Sequence, residues 1–159
     1  MEIQIRDLQP EDYDALCEII DEVDTLHREA LPRIFRKSEG PVRDKEFILD
    51  LIGGGDAGLF VAEADGRMAG FIHVMVHDSP DVAIMKPRRF ALVDNLTVKK
   101  VYHRQGIGRL LMDYADAWAR KNGASSIELN VYAFNDTAVA FYQNLGYEFL
   151  SYRMSKSLG

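Results

Sequence analysis

Hydrophobic positions along the chain change period several times, and each change marks an element. Ile3, Ile5 and Leu8 sit between polar neighbours in a short first strand that Gln9-Pro10 ends. Pro10-Glu11-Asp12 then opens a helix, because proline suits the first turn and carboxylates suit the positive end of the helix dipole. Tyr13, Leu16, Cys17, Ile20, Val23 and His27 fall on one helical stripe, and Pro32 stops it. Residues 31–35 form a connector with apolar anchors. A second helix is expected from about 42 to 52, with Phe47, Ile48 and Leu51 inward. Gly53-Gly54-Gly55 breaks the pattern as a flexible loop.

Residues 59–64 and 68–76 read as two strands joined by a hairpin turn at Asp65-Gly66, with Phe71, Ile72, Val74 and Val76 as candidate core. A long polar connection over 78–89 contains Pro80 and Pro87. The strand at 90–98 feeds a helix from Gly106 to about Asn122, on which Ile107, Leu110, Leu111, Tyr114, Ala115 and Trp118 recur at helical spacing. Trp118 is expected as a core anchor. Residues 126–132 alternate as a strand. Asn135 caps a short helix bearing Ala138, Phe141, Tyr142 and Leu145, and Gly146 ends it. Residues 147–154 close the chain as a last strand. The order is β-α-α-β-β-β-α-β-α-β, an α+β fold with one mixed, mostly antiparallel sheet flanked by helices. Strands 90–98 and 126–132 are its parallel pair.

Composition narrows the function classes. The 159 residues suit one domain, and 47% hydrophobic with 28% charged residues is ordinary for a globular chain. A net charge of -6 disfavours a nucleic-acid partner, which needs a basic face. No apolar run approaches membrane-spanning length, and the start lacks the parts of a signal peptide. The single cysteine, Cys17, fits a reducing cytoplasm. Residues 2–29 hold ten carboxylates against Arg6 and Arg28. They read first as a solvated helix face and second as an acidic rim for a cationic acceptor. His73 and His77 share strand parity, but no third or fourth ligand accompanies them. They are expected as half-exposed structural histidines, with no metal.

The chemistry concentrates where the strand at 90–98 turns into the helix at 106. Gly106 and Gly108 have no Cβ, so an anion can approach the unpaired amides of the first helical turn. A dinucleotide-binding turn would carry a third glycine where Leu111 stands, and a triphosphate loop would carry Gly-Lys-Ser/Thr. What remains is a phosphate held by main-chain amides, with Arg104 and Arg109 as charge partners.

Val98, followed eight residues later by Gly106-Ile107-Gly108, resembles the cofactor motif of the Gcn5-related N-acetyltransferases, Gln/Arg-x-x-Gly-x-Gly/Ala. Asn135-x-x-Ala138-x-x-Phe141-Tyr142-x-x-Leu145-Gly146-Tyr147 is similar to the family's later signature. Ile5-Arg6-Asp7…Asp12 and Tyr152-Arg153-Met154-Ser155-Lys156 resemble its ends, so the likeness runs through the whole chain, one N-acetyltransferase domain over 1–159. His103 departs from the pattern at the Gln/Arg position. The resemblance implies acetyl-coenzyme A as donor, with its pyrophosphate on His103, Arg104, Gln105, Gly106, Ile107, Gly108 and Arg109. Main-chain groups of Leu96, Thr97 and Val98 would pair with the pantetheine arm, and Asn135 would bond it from the other side.

Tyr142 is, by its matching position, the acid for the departing thiolate. Asp94 is the base for the acceptor amine or the anchor of its ammonium. The acceptor face would be lined by His27, Glu29, Phe35 and Tyr132, with the 78–89 loop. The acceptor class expected from the resemblance is a small primary amine, such as a polyamine or an aminoglycoside-like amine. A protein N-terminus or lysine, and a non-catalytic coenzyme A-binding module, are the alternatives. Sheet-edge pairing through the C-terminal strand would make a homodimer.

Overall fold

A computed structural model describes residues 1–159. The strands β1 (Ile3–Asp7), β2 (Ala57–Ala64), β3 (Arg67–Asp78), β4 (Arg89–Val98) and β5 (Ser126–Leu129) form one sheet in that order. The first three pairings are antiparallel and the β4–β5 pairing is parallel, as the hydrophobic pattern predicts. Helices α1 (Tyr13–Ala30) and α2 (Lys45–Gly54) precede the central hairpins, α3 (Ile107–Lys121) links β4 to β5, and α4 (Asp136–Asn144) follows β5.

Both faces of the sheet are covered, which explains why β3 reads as a near-continuous apolar run. Leu16, Ile19 and Ile20 of α1 and Ile48 of α2 pack with Leu59, Val61, Met68 and Phe71 on one face. Ile107, Leu111, Met112, Ala115 and Ala119 of α3 pack with Ala62, Ile72, Val74, Ala91 and Val93 on the other. Trp118 packs against the second cluster as the core anchor expected of it. Arg6 ties β1 to its surroundings: it donates to both Asp12 carboxylate oxygens at 2.7 and 2.8 Å and to Glu63 at 2.6 Å. Asp12 in turn accepts from the Gln9 amide at 2.8 Å, in a capping box around a single 3-10 turn at Pro10–Asp12.

Several expected details differ. The first helical segment divides into that turn and α1, because the Asp12 carboxylate is drawn to Arg6 and Gln9. Phe47 is exposed, since only the Ile48 side of the short α2 meets the sheet. Gly53 and Gly54 are helical, and Gly55 ends the helix in the left-handed region instead of opening a flexible loop. Leu110 and Tyr114 lie on the outer flank of α3. The strand at 126–132 stops at Leu129, and no strand forms over 147–154.

Candidate active site

β4 and β5 pair only from Phe90 to Val93, against Ser126 to Leu129. From Asp94 to Val98 that side of β4 carries no strand, so the two parallel strands part company beyond Val93 and Leu129. On its other side β4 pairs with β3, and the register slips between His73 and Val74: they oppose Asn95 and Val93 respectively. Asp94 is the extra residue of this β-bulge. At this bulge the Asp94 carboxylate lies beside His73 of the neighbouring strand.

A 3-10 turn at Lys100–Tyr102 follows β4. His103 folds back, and its Nε2 donates to the Val98 carbonyl at 2.8 Å. The imidazole thus makes a main-chain bond that ties the turn to the strand, and it fixes Nε2 as the protonated nitrogen. Arg104 (φ 62) and Gly106 (φ 82) both occupy the left-handed region. Gly106 has the cheaper conformation because it has no Cβ, and nothing lies within 4 Å of the place a Cβ would take. Arg104 and Gly106, two left-handed residues one position apart, shape the turn that leads into the start of α3. No side chain caps that helix. The first backbone bond is from Leu110 to the Gly106 carbonyl, so the amides before it are open to an anion.

Gly108 is small for a different reason. A Cβ there would lie 3.1 Å from Cζ of Phe141 on α4, so this glycine seats one helix against the other. Arg104, Gln105 and Arg109 are exposed at the same end. Helix α1 braces the turn from the side. Thr97 Oγ1 donates to the Ile19 carbonyl at 3.4 Å, the Lys100 amide to Glu22 at 3.0 Å, and Lys99 Nζ meets Glu18 at 3.5 Å. Asp24 meets Arg43 at 2.8 Å. These carboxylates serve as internal struts, which accounts for part of the acidic run.

Asn135 caps α4, its Oδ1 accepting from the Ala138 amide at 3.1 Å. Its side-chain NH2 makes no protein hydrogen bond and remains a free donor. Tyr142, two helical turns on, lies edge-on to Phe141 (5.2 Å between centroids) and Tyr147 (5.7 Å). Burial pushes its phenol up to about 12, so at neutral pH the oxygen carries its proton. Tyr147 is pushed upward too, by burial and then by Asp116, and its hydroxyl is buried without a partner.

On the α1 side, Asp94 Oδ2 lies 3.4 Å from Nδ1 of His73. The contact with His73 holds the Asp94 carboxyl below the usual carboxylate range, against an opposing desolvation, with smaller help from the His73 and Arg43 charges. His73 is buried, not half-exposed as its sequence context suggests, and its Nε2 has no partner. His77 is exposed and packs on Phe90 at 5.8 Å.

Three of the four acceptor-face candidates come together. His27 lies edge-on to Phe35 (5.6 Å) and Tyr132 (5.5 Å), and Phe35 to Tyr132 (5.5 Å). Phe134, which sequence reasoning passed over, completes the group at 5.4 Å from His27. Its two-residue spacing from Tyr132 was the available signal. Glu29 is exposed at the end of α1 and makes no contact with this cluster. The 78–89 connection lies at the opposite end of β4 from the glycine turn. It is tied there by Arg88 to Glu128 and by Arg89 to the Asn122 carbonyl at 2.9 Å, so it lines the base of the sheet.

The chain is 32% identical over 74 residues to the uncharacterized N-acetyltransferase YdgE of Bacillus subtilis, covering 46% of this chain and 47% of that one. It is 37% identical over 57 residues to the [ribosomal protein bS18]-alanine N-acetyltransferase of Escherichia coli (36% and 38%). It is 32% identical over 95 residues to the streptothricin acetyltransferase of Streptomyces lavendulae (59% and 46%). The chain thus spans less than half the length of these curated relatives. Among solved structures, a point mutant of the BH1408 protein of Bacillus halodurans superposes with a TM-score of 0.93 at 25% identity, over 98% of this chain and 99% of that one. An aminoglycoside N-acetyltransferase solved with CoA shares the fold (TM-score 0.72, 15% identity, 97% and 98% coverage). The model of the Acetyltransferase (GNAT) family matches residues 20–147, from the middle of α1 through the cleft and the glycine turn to the end of the Asn135–Tyr147 segment, and the chain belongs to that family.

Proposed function

We propose that the chain transfers the acetyl group of acetyl-CoA to a primary amine of a small molecule. The observation that carries this reading is the end of the β4–β5 pairing at Val93, followed along β4 by the left-handed turn at Arg104–Gly106 that opens α3. An unpaired strand edge suits the amides of a pantetheine arm, and an amide-lined helix start suits a pyrophosphate. Leu96, Thr97 and Val98 would offer the edge. The backbone of residues 103–109 would hold the phosphates, flanked by the Arg104 and Arg109 side chains. Asn135 would donate its free NH2 to the arm. His103, at the family's Gln/Arg position, acts through the Val98 carbonyl as a brace of the turn.

The thioester supplies an acyl carbon that a neutral amine attacks as the C–S bond breaks and the thiolate leaves. Tyr142 would donate its hydroxyl proton to that sulfur and regain one from solvent, while the nitrogen, cationic once bonded to the acyl carbon, would release its second proton to solvent. A thiolate of pKa about 8.5 is a sufficient base for a hydrogen bond from a phenol held protonated by burial. Asp94 is poised to hold an ammonium. A carboxyl kept below its ordinary range is a weak proton acceptor at neutral pH but a permanent anion, so it attracts the protonated amine, whose proton passes to solvent before attack. The aromatic group of His27, Phe35, Tyr132 and Phe134 would wall the acceptor's apolar part.

The likeness to streptothricin acetyltransferase supports a small basic acceptor. The test is thiol release from acetyl-CoA across polyamines, aminoglycosides, streptothricin-like amines and peptides with a free N-terminus. Turnover with a small amine and none with peptides is the expected result. Turnover with peptides alone would make the chain a protein acetyltransferase. Binding of acetyl-CoA without turnover on any amine would make it a binding module.

A further inference from the structure

His73 lies within residues 68–74 of β3, all of them buried, and its side chain is only 7% exposed. Burying a polar ring is costly unless its nitrogens find partners. His73 stands two residues from Phe71, so both rings leave the strand on the face that α1 covers. Its one polar contact is with Asp94, whose side chain is 55% exposed at the bulge of the neighbouring strand. We infer that His73 is a positioning residue, whose Nδ1–H aims the Asp94 carboxylate at the ammonium of the acceptor. The inference rests on the reading of Asp94 as that ammonium's anchor.

The surroundings of the ring select its tautomer. Nδ1 lies 3.4 Å from Asp94 Oδ2, whereas Nε2 is buried without a partner. A neutral imidazole carries one N–H, and an ionised carboxylate only accepts. A proton on Nε2 would leave a buried donor unpaired and set the Nδ1 lone pair against a carboxylate oxygen. A proton on Nδ1 removes both costs and leaves only a lone pair without a donor. The ring is therefore the Nδ1–H form, with its one donor facing Asp94. At 3.4 Å the contact is longer than a closed hydrogen bond, as polar contacts in unliganded sites often are until the substrate is seated.

Asp94 needs such a guide. The torsion that swings a carboxylate is broad, so an exposed aspartate on a bulge samples many directions. His73 takes Oδ2 and leaves Oδ1 for the acceptor. The cation nearby, Arg43, is already engaged, with its two terminal nitrogens on Asp24 at 2.8 and 3.3 Å. His73 is also the first cause of the low Asp94 carboxyl, ahead of any charge effect from Arg43. A neutral N–H donor fixes the carboxylate without cancelling its charge, which stays available to the ammonium. A lysine or arginine at this place would hold Asp94 equally well and neutralise it. Being buried beneath Asp94, His73 reaches the acceptor only through it.

Two measurements on the full chain test the proposal. In the first, steady-state kinetics with the best amine of the panel compare three variants. Asparagine sets its amide nitrogen close to the place of Nδ1, glutamine close to that of Nε2, and leucine removes both. His73→Asn should keep the acceptor KM within about twofold of wild type. His73→Gln and His73→Leu should raise it about fivefold, with kcat within about twofold. An unchanged thermal rise with acetyl-CoA in each variant verifies the fold. Equal KM values for His73→Asn and His73→Leu would overturn the proposal, as would a loss confined to kcat. In the second, long-range 1H–15N correlation spectra of the wild-type chain should show the His73 ring protonated at Nδ1, and its signals should move in Asp94→Asn. A ring protonated at Nε2, or signals indifferent to Asp94→Asn, would overturn it. The spectra need no turnover, so silence across the amine panel defeats the acceptor reading while the His73–Asp94 contact is still read.

Discussion

Tyr142 and Asp94 illustrate how a residue's surroundings select its chemistry. Tyr142 is surrounded by Phe141 and Tyr147, and burial keeps its phenol protonated well beyond neutral pH. Tyr142→Phe retains the ring and its edge contacts while removing the only transferable proton. Turnover should fall about 100-fold, with the affinity for acetyl-CoA changing less than twofold, as read by steady-state kinetics beside calorimetry. Asp94 sits on a bulge against His73 and is ionised across the working pH range. As an ammonium anchor it should matter most for binding, so Asp94→Asn should raise the acceptor KM about tenfold while kcat moves far less. A collapse of kcat at unchanged KM would instead make Asp94 the proton acceptor.

Elements meet in this fold through small residues and paired charges. Gly108 lets α3 approach α4, and Gly70 lets α3 approach β3: a Cβ there would lie 2.9 Å from Leu111. A methyl at Gly108 must displace the Phe141 ring. Gly108→Ala should therefore cost about 1–3 kcal/mol of stability, and Phe141→Leu should recover part of that loss in a double-mutant cycle by urea unfolding. This places a packing role on a glycine that the sequence motif assigns to anion approach, whereas Gly106 has open space where a Cβ would stand. The β1 end is held by Arg6 between Asp12 and Glu63. Arg6 keeps the Asp12 carboxyl below its ordinary range. The folded state thus gains stability that is fully present above the unfolded pKa of about 4 and is lost as pH falls through the lower folded value. Asp12→Asn should cost about 1–3 kcal/mol at pH 7, and the difference from wild type should shrink when unfolding is repeated near pH 3.

For the whole molecule, ligand and fold are coupled because the cleft draws on α1, β4, α3 and α4 together. Acetyl-CoA at about one hundred times its Kd stabilises a folded state by about 2.7 kcal/mol, a rise in Tm of roughly 5–10 °C for a chain this long. Differential scanning fluorimetry should show that rise, and Arg109→Glu at the same acetyl-CoA concentration should reduce it. The net charge of -6 is distributed as struts: Glu18, Glu22 and Asp24 each engage a partner in the α1–β4–Arg43 region, so the acidic helix is tied to the scaffold at those points.

By itself the sequence determined the elements from the first strand to the last helix, their order, the parallel pair and the two motif segments. Those follow from local period, caps and turns, which act over a few residues. It also named His27, Phe35 and Tyr132, although these lie far apart along the chain, because the family resemblance supplied the long-range information. Tertiary structure alone decided the bulge at Asp94 and its contact with His73, since a bulge is a mismatch between two strands and leaves no mark on either one. It decided that Gly108 faces Phe141, that the 78–89 connection lies at the far end of the sheet, and that Phe134 joins the aromatic group. It also left residues 147–154 without a strand partner, because alternation can prescribe a strand while only a neighbouring edge can complete one.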